Sequence, residues 1–337
     1  MRIPSVAETL GQDSSQRTTS PRTTAQPRVL SRLRTLTPAP AALLLAAFLG
    51  PPAPNRAPSG PMAQDSVSAP STPARDWAAD CANNEILVIQ HPGSYLRYRL
   101  HEINEKGDEV RDQIETPDGS VARLIQHDGK PLTPDEDSAE RERLNSLIDS
   151  PATFARHIRN DQANKKLGID LLKLIPDAML WSYAAGQPQP SETPSVQSAD
   201  AAPLIVLDFK PNPKWPPPNI PAETLTGLEG RVWIAPQTRR MVRLEANLFH
   251  AVNIGWGVVA HIYPGGTVTL HQTSVQTNAG DRRFIVDHIV EQLTLRALLV
   301  KTVKQRLVFD AAEFQPILPM TYQQAIKILL VTPLPTH

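Results

Sequence analysis

A single cysteine, Cys81, in 337 residues removes two kinds of chemistry at the outset. No intramolecular disulfide can form, and thiolate clusters that hold structural metals are excluded. The usual catalytic signatures are missing too: there is no Gly-x-Ser-x-Gly elbow, no His-Glu-x-x-His pair and no phosphate-binding loop. Glycine is scarce beside proline, 16 against 34. Proline gathers in the first seventy-five residues and from Pro188 to Pro221, stretches that read as connectors.

Charge of one sign is also lacking. Basic and acidic residues balance at 34 each over the whole chain. Residues 1–63 hold seven arginines against Glu8 and Asp13, which leaves 27 basic and 32 acidic residues beyond them, a net of −5. No lysine- and arginine-rich face points to nucleic acid, so a nucleic-acid partner is not expected. A nucleotide partner is not expected either. Gly255-Trp256-Gly257-Val258-Val259-Ala260 matches a dinucleotide fingerprint by letter, but Tyr263-Pro264-Gly265-Gly266 follows where that motif needs a helix. A glycine-eased bend with Trp256 packed against it fits the context better.

What is present begins with an address. Arg28, Arg32 and Arg34 precede the apolar block Ala41 to Leu49, and Ala63 before Gln64 is the best-placed cleavage site. That order is the pattern of a secretory leader. The block is too short to span a membrane, which takes about 20 residues. The stretch ahead of the arginines is long for a leader and points to a start near Val29. Residues 1–63 are therefore expected to be an N-terminal extension and signal peptide, residues 64–72 a linker, and residues 73–332 a single domain that is exported and periplasmic or envelope-associated. Cys81 lies far downstream of the block and follows Asp80, so it reads as a small apolar residue on a helix face and not as a lipid anchor.

Within that domain Ala74, Trp77, Ala78, Cys81, Val88 and Ile89 share the stripe of an amphipathic helix. Strands follow at Tyr95 to Glu105, Glu109 to Glu115 and Ser120 to His127, with turns at Pro117-Asp118-Gly119 and Asp128-Gly129. Thr133, Pro134 and Glu136 form a capping-box start, and Ser150 with Pro151 makes a second. The helical insert they begin must stop near Pro176. Residues 186–203 read as a flexible Pro-rich spacer. Further strands are expected at Leu204 to Phe209, Glu229 to Ile234, Met241 to Leu248, Ala251 to Ala260, Thr267 to Val275, Arg283 to Gln292 and Leu295 to Phe309, and a helix at Tyr322 to Leu330. In the strand from Met241, alternation puts Val242, Leu244, Ala246 and Leu248 on one face. The fold class is α+β: one large, strongly curved antiparallel sheet of about ten strands, a half-open barrel, wrapped around a helical insert and flanking helices.

His250, His261, His271 and His288 fall on successive strands, and two or three meeting Asp287 or Glu291 would make a Zn²⁺ site. Scattered strand histidines are more often half-exposed polar residues, so no metal, no cofactor and no catalytic residue is assigned. Asp135-Glu136-Asp137 suits a helix N-terminus better than a cation.

The order of elements resembles the outer-membrane lipoprotein carrier (lipoprotein-sorting) superfamily. More closely, the chain is similar to uncharacterised secreted bacterial proteins with that fold. The resemblance covers about Ala74 to Leu330. It rests on Asp128-Gly129-Lys130-Pro131-Leu132-Thr133, Phe209-Lys210-Pro211-Asn212-Pro213, Leu228-Glu229-Gly230 with Trp233-Ile234, Arg243-Leu244-Glu245, and Asn253-Ile254-Gly255-Trp256-Gly257 with Gly265-Gly266. It implies a half-open barrel around an acyl-binding cavity under a helical lid. The carriers tether that lid with an arginine, and no residue here is assigned that role.

Two functions follow as expectations. One is a non-enzymatic envelope protein that binds a lipid or an acylated protein on the concave face of the sheet, with Val242, Leu244, Ile254 and Trp256 as ligand-binding residues. The other is an envelope sensor or assembly module that binds a protein partner and has no lipid cavity. Both turn on whether Trp77, Phe154 and Leu171 fill the inner face.

Overall fold

Residues 72–90, 93–105, 107–187, 203–255, 259–278, 280–297 and 301–335 are described by a computed structural model. The leader expected at residues 1–63, its linker, most of the Pro-rich spacer and Trp256 lie outside them. All the elements belong to one unit, residues 38–337.

Helix α1 (Ala74–Gln90) leads into strands β1 (Tyr95–Asn104), β2 (Gly107–Ile114), β3 (Val121–His127) and the two-residue β4 (Lys130–Pro131). Asp128 and Gly129 both take positive φ, 50° and 72°. That conformation is what a two-residue hairpin loop requires, and Asp-Gly supplies it at little cost. Helices α2 (Pro134–Asp149) and α3 (Pro151–Ala178) start as their sequences dictate. Thr133 and Glu136 cap reciprocally at α2, while Ser150 accepts from Thr153 N at α3. Each cap contributes about 1 kcal/mol. Pro176 sits in the last turn of α3, which ends two residues later.

The chain then adds β5 (Met179–Tyr183), β6 (Ile205–Pro211), a short 3₁₀ segment (Pro221–Gly227), β7 (Leu228–Ala235), β8 (Arg240–Leu248), β9 (Val252–Ile254), β10 (Ala260–Ile262), β11 (Thr267–Gln276), β12 (Arg282–Ala297), β13 (Lys301–Ile317) and α4 (Tyr322–Val331). The order across the sheet is β4-β3-β2-β1-β13-β12-β11-β8-β7-β6-β5, all antiparallel, with the β9–β10 hairpin attached to the far end of β12. The sheet is curved and open, with β4 and β5 at its ends.

Thirteen strands among the described residues replace the expected ten, for readable reasons. The run Ala251 to Ala260 is a hairpin and not one strand: Ile254 pairs with Ala260 around a turn where Gly255 takes φ 57°. The run Leu295 to Phe309 is also broken, though without adding a strand: Leu295 to Ala297 continue β12, Arg296 pairs with Thr302 and Ala297 with Lys301. The sequence between Ala297 and Lys301 has no glycine or proline to mark the break. β4 and β5 are additional short strands.

The two faces of the sheet carry different helices. Directly opposed residues of paired strands share a face, so Tyr98 lies with Gln113, and Arg97 with Ile114. Leu96, Tyr98 and Leu100 face α1, in a core with Trp77, Leu207, Ile234, Ile289 and Phe309. Ile114 and Val121 face the other way, against Leu144 of α2, Phe154 of α3 and Ile326 of α4. Phe154 therefore does not fill the inner face; it stacks on Tyr322 at 3.4 Å between ring centres. Helix α3 passes the β2–β3 turn, where His157 Nε2 lies 2.9 Å from Ser120 O, and its C-terminal half reaches the inner face. There Leu171, Leu172 and Ile175 pack on the sheet and on Ile86 and Ile89 of α1.

Candidate functional site

α1 is held on the inner face by polar anchors along one side. Glu85 takes two hydrogen bonds of 2.9 Å from the Arg240 guanidinium, one of 3.0 Å from Gln272 Nε2 and one of 3.1 Å from Met241 N. The carboxylate is buried and saturated, as a charge out of water must be. One turn earlier, Arg239 lies over the Trp77 ring at 3.8 Å and bonds Asp80 at 2.6 Å, and Asn84 donates to Thr238 O at 3.0 Å. The β7–β8 hairpin thus clamps α1. The C-terminal half of α3 packs through apolar side chains, and its end is tied by an exposed ion pair from Arg75 of α1 to Asp177 and by Asn212 Nδ2 donating to Asp177 O.

Between these helices and the sheet lies a cavity of about 90 Å³. α1 contributes Ala78, Cys81, Ala82 and Glu85, α3 contributes Leu172 and Ile175, and strands β5 to β8, β11 and β12 close the rest. The wall is almost wholly apolar. Burial pushes the Cys81 thiol up, the charges of Glu85 and Asp80 outweighing that of Arg240, so it stays protonated and inert. A larger groove of about 480 Å³ around Ser182, Asp208, Lys210 and Glu229 is open and polar, and shields nothing from water.

One group on the cavity wall breaks the apolar pattern. Glu291 of β12 is 0% exposed, stands between Ile289 and Leu293 on the inward parity, and pairs across to Val268 and Leu307. Neither carboxyl oxygen has a hydrogen-bond partner among the described residues. Desolvation, with a smaller contribution from Glu105, pushes its pKa up to about 8. Glu291 is therefore largely a neutral acid at pH 7, because ionising it would bury an uncompensated charge. The Trp181 indole Nε1, on the same cavity wall, is also buried without a partner among the described residues.

Of the residues expected to bind ligand, Leu244 lines the cavity. Val242 does not. Trp233 pairs with Arg243 while Ile234 pairs with Met241, so Val242 is the extra residue of a β-bulge and Met241 takes the inward place. Ile254 is 1% exposed and packs in the same core as Leu225 and Ala260, but it is not one of the residues that line the cavity. Glu291 was readable as a carboxylate on an apolar-parity position of β12, and Glu85 as the residue four after Cys81 on the inner stripe of α1.

The four histidines do not converge. His271 and His288 face each other across β11 and β12 at 5.5 Å between ring centres, and His288 Nδ1 lies 2.5 Å from Asp310 Oδ1. Burial, then Arg243 and His288, hold the His271 pKa down. His261 pairs with Asn253, and His250 meets the edge of Phe249. Among the described residues no three metal-ligating side chains come together, and no helix is long and apolar enough to cross a membrane.

No protein-family model, curated protein or solved structure matches the chain.

Proposed function

We propose that this chain is a non-enzymatic binding protein of the bacterial envelope that holds an acyl chain, of a lipid or an acylated protein, between the inner face of its sheet and helices α1 and α3. The observation that carries this reading is the cavity itself: an almost wholly apolar space under two helices, beside an α1 with a buried polar anchor and an α3 packed on the sheet through apolar side chains. Its volume of about 90 Å³ is well below the roughly 300–1,000 Å³ of pockets that enclose a whole ligand. In this state Trp77 and Leu171 pack on the inner face, and the cavity admits only a short segment of chain. Loading then requires the C-terminal half of α3 to move off the sheet. Each CH₂ transferred from water contributes about 0.8 kcal/mol, so an eight-carbon chain brings enough free energy to displace a few apolar contacts.

Native mass spectrometry of the protein isolated from an envelope fraction, paired with uptake of a fluorescent acyl lipid, tests this. A bound lipid or saturable uptake is expected; neither co-purified lipid nor uptake would remove the reading. A second reading, a module that docks an envelope protein, draws on β5, one of the two edge strands of the sheet, with Leu180 exposed. Recovery of one stoichiometric protein partner, unaffected by delipidation, would favour it.

A further inference from the structure

Glu291 is an acid in an apolar cavity with no hydrogen-bond partner among the described residues. A carboxyl left so costs free energy, and a protein retains one where a ligand completes it or where the group itself acts. Three facts narrow the ligand. The carboxyl is fully buried on the cavity wall and unpartnered. Among the described residues no lysine or arginine lines the cavity with it, and Arg240 is taken up by Glu85 through its Nε and Nη2. The second unpartnered group on the wall, the Trp181 indole, is a donor only.

We propose, resting on the acyl-holding reading above, that this cavity selects the uncharged carbonyl end of an ester- or amide-linked acyl group, and that Glu291 is the group that binds it, donating its carboxyl proton to the carbonyl oxygen. An anionic free fatty acid is the wrong partner. Its carboxylate would enter an apolar space beside Glu291 and within the field of Glu105, with no cation to pair. An ester or amide carbonyl brings acceptor oxygens and no charge. The raised pKa agrees, since the donor form persists to about pH 8. Titratable neighbours do not cloud the pH dependence: on α1, Glu85 is saturated by Arg240, and the Cys81 thiol is pushed up by burial.

Isothermal titration of the full chain with methyl octanoate and with octanoate, at pH 6 and pH 9, reads the proposal. The ester is expected to bind wild-type protein at pH 6 and to weaken at least tenfold at pH 9. Octanoate is expected to bind at least tenfold more weakly than the ester at pH 6. Glu291→Gln keeps a donor without a titrating proton and should bind the ester equally at both pH values. Glu291→Leu, which removes the donor and suits the apolar wall, should lose at least tenfold at pH 6. Ester binding unchanged in Glu291→Leu, or octanoate binding as tightly as the ester, would overturn the role of Glu291 and leave the acyl-holding reading standing. Failure of wild-type protein to bind either probe would overturn both.

Discussion

Arg240 of β8 and Glu85 of α1 meet through two parallel hydrogen bonds of 2.9 Å, with both side chains buried. This pair joins the first helix to a hairpin more than a hundred and fifty residues later and fixes one wall of the cavity.

Breaking the pair from one side is expected to be costly. Glu85→Leu alone, or Arg240→Met alone, should lower stability by about 3–5 kcal/mol, because each leaves a buried charge without its partner. The double variant should recover much of that loss. Chemical denaturation of the four proteins checks it; additive losses would mean that the two residues do not act as a unit.

Glu291 makes stability depend on pH in a defined direction. Its folded pKa is raised from the ordinary 4.5 to about 8, so the folded state holds a proton that the unfolded chain releases. The cost of ionising it in the folded state is absent below pH 4.5, grows as pH rises and levels off above 8, where it reaches roughly 5 kcal/mol. Glu291→Gln should therefore gain stability relative to wild type between pH 5 and 8. Parallel stability curves for the two proteins over that window would refute the assignment.

Arg123, which is 0% exposed, anchors the last helix. Its guanidinium donates to Leu329 O at 2.5 Å, Thr332 O at 2.7 Å and Asp137 Oδ1 at 2.7 Å, closing the C-terminus of α4. Arg123→Met should cost about 2–4 kcal/mol. The effect should concentrate in faster amide exchange over residues 322–332, and uniform loss of protection across the sheet would contradict it.

Gly230 permits the close approach of β7 and β8. A Cβ there would lie 2.0 Å from Glu245 O and 2.8 Å from Ala246 Cα, both backbone atoms that cannot rotate away. Gly230→Ala should cost about 2 kcal/mol or more. A melting temperature within a degree of wild type would show that the strands separate freely.

Helix starts, turns and most strands were legible because each is fixed by local chemistry: Thr133 with Glu136, Ser150 with Pro151, Asp128 with Gly129. What local pattern did not carry was the break between β12 and β13, where Ala297 pairs with Lys301, and the bulge that removed Val242 from the inner face. Both depend on which strand pairs with which, a long-range fact. The same holds for the faces. Alternation shows that β2 has two sides, but only the pairing of Arg97 with Ile114 places α2 and α4 opposite α1. In the site, Leu244 was readable from alternation alone. Glu291 was readable as a charged residue at a core position, but that its oxygens lack partners emerges only from the packing around it.

Filling the cavity is the most direct test of its role. Ala246 of β8 and Ala82 of α1 both line it, and Ala246→Leu or Ala82→Leu would occupy much of the roughly 90 Å³. By the known cost of empty volume such a variant could gain up to about 2 kcal/mol of stability, less any overpacking. Binding of methyl octanoate, measured by isothermal titration on the folded variants, should fall at least tenfold below wild type. Undiminished binding in the filled proteins would place the acyl chain elsewhere and contradict the cavity as its site.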